Sequence, residues 1–152
     1  MSLAFFKDYL RREKLEDLVE PFESGETAKT AEGAALSIGC EVSQIVKSLV
    51  VTADGRYYVF LVPGNERLNL GLLSSVLPGE ARMATADEVK SATGYSIGGV
   101  PPFGHKEKLK TYIIPGFSTD KPLYAAAGDN AQTFEIPYVD LVRLTSAEEF
   151  NI

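Results

Sequence analysis

Two features of this sequence have residue types and spacing that could carry chemistry. The first is Lys47, set inside the apolar run Ile45-Val46-Lys47-Ser48-Leu49-Val50-Val51. Strand alternation puts it on the same face as Ile45, Leu49 and Val51, where an ammonium is poorly solvated unless it has a partner. The alternative is an aliphatic stem lying along a sheet margin with its head in water, and the run alone leaves both readings open. The second feature is the stretch from Gly94 to His105, which packs Gly94, Gly98, Gly99 and Gly104 together with Pro101 and Pro102. Glycine allows close backbone approach and proline stiffens a loop, so its amides could form an oxyanion hole. Losing one such donor typically costs roughly 3 to 4 kcal/mol of transition-state stabilisation. Composition alone fits a tight connection equally well.

Other reactive side chains are few. His105 is the only histidine; it could serve as a general base, a phosphate contact or a hydrogen-bonded surface residue. Cys40 follows a helix end and reads as packing. Ser43, Ser48, Ser74, Ser75 and Ser96 lack the Gly-x-Ser-x-Gly elbow, and neither a phosphate-binding loop nor a dinucleotide fingerprint is present. One thiol and one histidine do not make a structural zinc site, so neither a metal nor a cofactor is expected.

The elements that must position these residues are legible from pattern and punctuation. Phe5 to Val19 has apolar residues at helical spacing. Thr30 offers an N-cap for a short helix over Ala31 to Ile38, which stops at Gly39. Gln44 to Thr52 and Tyr57 to Pro63 flank Asp54-Gly55 and predict a hairpin. A helix is expected over Asn69 to Leu77, and a capping box at Thr85 and Glu88 opens another over Ala86 to Thr93, closed by Gly94. Thr111 to Ile114, Leu123 to Ala127 and Gln132 to Ile136 read as strands, followed by a helical turn over Pro137 to Leu144. The irregular order predicts an α/β or α+β domain around one curved, mostly antiparallel or mixed sheet flanked by short helices.

The bulk numbers set limits. At 152 residues and 45% hydrophobic content, one domain is expected. A net charge of −6 argues against an extended duplex-binding surface. It leaves room for a local basic pocket drawn from Lys29, Lys47, Arg67, Arg82, Lys106, Lys108 and Lys110, most of which read as solvated surface charges. No window approaches the roughly 18 apolar residues a membrane helix needs, so a cytoplasmic protein with no membrane contact is expected.

Four segments resemble one family in order and spacing: Thr30-Ala31-Glu32-Gly33-Ala34-Ala35, then Gln44 to Val50 around Lys47, then Thr93 to Gly104, then Ala125-Ala126-Ala127-Gly128. The combination of the lysine-bearing strand with the Gly-Gly-x-x-Pro loop is similar to the YbaK/ProX family of aminoacyl-tRNA editing domains. The likeness runs over residues 27–152, with residues 1–26 as an N-terminal helix and connection. The resemblance implies a mixed α/β fold and hydrolysis of the ester joining an amino acid to the 3′ adenosine of tRNA, commonly tRNA for proline carrying alanine or cysteine. It implies that Lys47 fixes the terminal nucleotide or the substrate carbonyl and that the amides around Gly98 and Gly99 hold the scissile carbonyl. A ribose hydroxyl, or a water it orients, then replaces a protein nucleophile. On the same resemblance Thr30, Val100, Pro101, His105, Gly128 and Asp129 fall at substrate-binding positions, with Asp129 either pairing with an amino group or capping its turn. The implied partners are the 3′ acceptor end of aminoacyl-tRNA and a synthetase such as prolyl-tRNA synthetase. Two competing expectations are a non-catalytic module that binds tRNA or a synthetase, and a hydrolase of small esters.

Overall fold

The computed structural model describes residues 2–25 and 30–150, so Lys29 lies outside the described residues. Its centre is the hairpin of β2 (Ile45–Ala53) and β3 (Arg56–Pro63). Asp54 and Gly55 take φ of 53° and 74° in the turn, the two positive angles that a tight hairpin requires. Alternation then divides the side chains between two cores. Val46, Val50, Val59 and Leu61 enter one, while Val51, Ala53, Tyr58, Phe60 and Val62 enter the other. A strand covered on both faces reads as an unbroken apolar run, as β3 does.

Further strands are β1 (Phe22–Glu23), β4 (Arg82–Met83), β5 (Lys110–Ile113), β6 (Leu123–Ala126), β7 (Gln132–Ile136) and β8 (Glu148–Glu149). The sheet runs β1-β7-β6-β2-β3-β5-β8, with β4 as an extra partner of β2. Pairings β1·β7, β6·β7, β2·β3 and β2·β4 are antiparallel, and β2·β6, β3·β5 and β5·β8 are parallel, giving the mixed sheet the sequence predicts. The helices are α1 (Ser2–Arg12), α2 (Ala31–Ile38), α3 (Leu70–Ser74), α4 (Ala86–Thr93) and α5 (Tyr138–Thr145). Phe6 and Leu10 of α1, Val89 of α4 and Leu141 of α5 pack into the first core, and Leu73 of α3 packs into the second.

Two helix ends and three short strands depart from the sequence reading, each for a local reason. α1 stops at Arg12 and does not reach Val19: Lys14 adopts φ 57° and the Leu15 amide closes back on Leu10 O at 2.8 Å. The apolar residues beyond it form a separate turn, with Val19 N donating to Leu15 O at 2.9 Å. α3 stops at Ser74, whose hydroxyl donates to Leu70 O and accepts from the Ala81 amide, competing with the backbone ladder. The strands β1, β4 and β8 are two residues each, too short to show any alternation.

Candidate active site

The sheet has a gap, and the gap is where the candidate residues gather. One edge of β2 pairs with β3 along almost its whole length. The other edge is shared: β6 takes Ile45 and Val46, and β4 takes Val51 and Thr52. Among the described residues, Lys47, Ser48 and Leu49 therefore have no strand partner on that side. A cavity of about 360 Å³ opens there, walled by α2, β2, the β4 segment at Met83 and Ala84, Val89 of α4, the loop at Ile97 to Val100, and the β6–β7 hairpin. Lys47, Gly98, Val100 and Thr30 all line it. Among the described residues, no aspartate, glutamate, histidine or cysteine does.

Lys47 is half-buried beside Leu49, and its Nζ donates to Glu66 O at 2.6 Å. An ammonium has three donors, so this carbonyl leaves capacity for a ligand. Burial lowers its pKa from the usual lysine value; the nearby Glu32 carboxylate opposes that shift and Arg67 adds to it. Of the basic candidates among the described residues, Lys47 alone lines the cavity. Arg82 pairs with Glu88, Lys110 pairs with Glu148, and Lys108 reaches Ser146 Oγ at 3.5 Å.

The glycine-proline loop is buckled at its base. Tyr95 is fully buried, and its hydroxyl donates to Gly104 O at 2.8 Å. His105 Nε2 lies 2.6 Å from Pro101 O, and a carbonyl can only accept, so that nitrogen carries the proton. Phe5 packs on Tyr95, and Phe6 and Tyr9 of α1 press against Phe103. Between these anchors Gly98 adopts φ 93°, in the region that favours glycine. The Gly99 amide donates to Ser96 O at 3.0 Å, so of the two amides expected around the carbonyl, that of Gly99 is engaged within the loop's own turn. What Gly99 contributes instead is closeness to the turn at Gly128 and Asp129, where a side chain would collide with the backbone.

The remaining expected residues separate. Thr30 caps α2 by accepting from the Gly33 amide at 3.0 Å and stands at the cavity wall. Val100 is buried and lines the cavity, whereas Pro101 is buried and does not. His105 faces a second cavity, lined also by Tyr9, Glu13, Lys108 and Arg143, which shares no residue with the first. It thus stands behind the loop, bonded to Pro101 O. Burial lowers its pKa below the ordinary histidine value, against the Pro101 hydrogen bond. Asp129 caps its turn by accepting from the Ala131 amide at 3.2 Å, and Gly128 packs under the start of α1; neither lines the cavity.

Sequence reasoning missed several lining residues. Met83, Ala84, Ile97, Asn130, Gln132 and Thr133 join the wall only because the gap brings β4, the loop and the β6–β7 hairpin together. Ser48 lacks the surroundings of a nucleophile in the sequence. Its Oγ is buried at this wall without a hydrogen-bond partner, unlike every other buried side-chain polar atom among the described residues. Such a group typically costs roughly 1–3 kcal/mol.

Comparison with known proteins agrees with this fold. A crystal structure of a proposed trans-editing enzyme for prolyl tRNA synthetase superposes with a TM-score of 0.91 and 35% identity, covering 99% of this chain and 95% of that one. The hypothetical protein APE2540 superposes with a TM-score of 0.83 at 27% identity, covering 95% and 96%. In sequence, the uncharacterized protein YwhH of Bacillus subtilis is 28% identical over 137 residues, 90% of this chain and 86% of its own length. A proline–tRNA ligase of Bacillus licheniformis is 30% identical over 118 residues, 77% of this chain but 20% of the ligase. The chain thus corresponds to about a fifth of that synthetase. The aminoacyl-tRNA editing domain family matches residues 25–144, a span that holds the lysine-bearing strand, the glycine loop and every residue of the cavity wall. This chain belongs to that family of aminoacyl-tRNA editing domains, the one its motifs resemble.

Proposed function

We propose that the protein is an aminoacyl-tRNA deacylase that hydrolyses the ester between a wrongly attached amino acid and the 3′ adenosine of tRNA, acting in trans on tRNA for proline. One observation carries the reading: the Lys47 ammonium and the Gly98 turn line a single cavity to which, among the described residues, no carboxylate and no histidine contributes. A cation beside a sheet gap suits the phosphate of a terminal nucleotide. The turn at Gly98 suits a scissile carbonyl whose oxygen gains charge as water attacks. The attacking oxygen bonds to the carbonyl carbon, the bond to the ribose oxygen breaks, and that oxygen leaves with a proton. With no carboxylate or histidine among the described lining residues, the vicinal ribose hydroxyl is the group that would orient the water. The reaction belongs in the cytoplasm, where tRNA is charged, and the kinship with prolyl-tRNA synthetases makes such a synthetase the natural partner.

The test is a panel of purified aminoacyl-tRNAs, with tRNA for proline carrying alanine, cysteine, serine, threonine or proline. Release of at least one non-cognate amino acid well above the buffer rate, lost in Lys47→Ala with the fold intact, supports the reading. No turnover on any member rejects it.

A further inference from the structure

The second cavity, of about 500 Å³, lies behind the glycine-proline loop, and its charged groups are sorted by sign. Tyr9 and Glu13 come from the end of α1, one turn apart, with the Glu13 amide donating to Tyr9 O at 3.0 Å. Neither the Tyr9 hydroxyl nor the Glu13 carboxylate has a hydrogen-bond partner among the described residues. Lys108 and Arg143 come from the segment before β5 and from α5. They share a side, because Lys108 Nζ reaches Ser146 Oγ at 3.5 Å, three residues beyond Arg143. Lys108 meets no carboxylate among the described residues, and Arg143 commits one nitrogen to Asp140 at 3.1 Å, leaving the rest of its donor fork open. His105 gives its Nε2 proton to Pro101 O, so Nδ1 is an acceptor without a partner. Leu15, Phe103, Leu109 and Leu144 supply apolar surface between these groups.

An apolar cavity with a few polar groups converging on it has the form of a small-molecule site. Its two poles define the ligand. Arg143 and Lys108 suit a carboxylate, which a guanidinium grips with two parallel bonds, while Glu13 and His105 Nδ1, both acceptors, suit an ammonium. A simple anion would face Glu13 and a simple cation would face Arg143, and like charges set together are unfavourable. We propose that this cavity binds a small zwitterion, a free amino acid or short peptide, and that its occupant acts on the glycine-proline loop. Pro102, Phe103, Gly104 and His105 line this cavity, and Ile97, Gly98 and Val100 of the same loop line the first. Pro101, between the two sets, carries the carbonyl that His105 holds.

The experiment follows the imidazole of His105, the only histidine in the chain, by NMR at pH 8, where burial keeps it neutral. The Gly98 and Gly99 amides report on the loop. The probes are leucine, with both charges on one carbon, and the dipeptide leucyl-leucine, with its charges further apart. At least one is expected to shift the His105 and Gly98 signals saturably, and which one does so gives the spacing of the poles. Blocking either end of that probe, by N-acetylation or as the C-terminal amide, is expected to weaken binding at least fivefold. Arg143→Gln is expected to weaken the free probe as much, and Glu13→Gln to bind the N-acetylated and free forms equally, both variants melting as wild type does. No saturable shift with either probe up to its solubility overturns the proposal, as do blocked forms that bind wild type as well as the free ones. Shifts that persist unchanged in Arg143→Gln also overturn it, and a His105 shift with Gly98 unmoved overturns the link to the loop. The readout is binding alone, so it stands or falls separately from deacylation.

Discussion

Gly99 lies so close to Asp129 that a Cβ at position 99 would stand 2.9 Å from the Asp129 amide nitrogen and Cα. The loop before β5 and the turn between β6 and β7 are thereby locked together, and the obstacle is backbone, which no rotamer change relieves. Gly99→Ala is expected to destabilise by about 1–3 kcal/mol through overpacking and to lower the deacylation rate about 100-fold by shifting the loop. Gly98→Ala has room, its nearest neighbour being Asn130 Cβ at 3.7 Å, so only the positive φ opposes it, at about 1–2 kcal/mol. Thermal melts of the two variants beside their rates separate contact from conformation; equal behaviour would contradict the assignment.

Lys47 is held charged where burial disfavours charge. Lys47→Met is expected to lower the rate at least 100-fold while melting at or above the wild-type temperature. Because the folded-state pKa lies below the unfolded one, the unfolded chain binds more protons between the two values, and wild-type stability rises with pH in that window. The methionine variant lacks that rise. Wild-type activity in turn falls as pH climbs through the lowered pKa, below the ordinary 10.5. Parallel pH–rate and pH–melting profiles check both.

His105 braces the glycine-proline loop through Pro101 O. His105→Phe leaves the Pro101 carbonyl without its donor, with an expected loss of about 1–3 kcal/mol, and lowers kcat with little change in KM. Burial sets the folded pKa below 6.5. The unfolded chain therefore takes up the proton first, and stability falls as pH drops from 6.5 to the folded value. Denaturation between pH 8 and 5 is expected to show this limb in wild type and not in the variant.

Glu88 fastens the β4 side of the gap. Its carboxylate accepts two Arg82 bonds of 2.8 and 3.0 Å, the Thr85 amide at 2.9 Å and the Tyr57 hydroxyl at 3.1 Å. Arg82 first, then the Thr85 amide, hold its pKa down to about 2. The stability this brings is full above 4.5 and is lost as pH falls towards 2. Glu88→Gln is expected to flatten the acid limb of the melting curve between those values and, by loosening β4, to slow deacylation severalfold.

Local order was legible because it is encoded locally. Thr30 and Gly39 bound α2, Thr85 and Gly94 bound α4, and Asp54-Gly55 sets the hairpin, each through a side chain or backbone angle acting within four residues. Lys47 and the loop at Gly98 were legible as chemistry for a similar reason: an ammonium in an apolar run and a glycine-proline cluster are anomalies visible without a fold. Tertiary structure alone decided their meaning. The cavity exists because β6 and β4 divide one edge of β2, and β4 is too short to leave a pattern. That Gly99 serves an approach to Asp129, that His105 stands behind the loop, and that Ser48 is a stranded hydroxyl all depend on contacts between segments far apart in the chain. Periodicity reports which face a residue takes; only the packed sheet determines what stands opposite it.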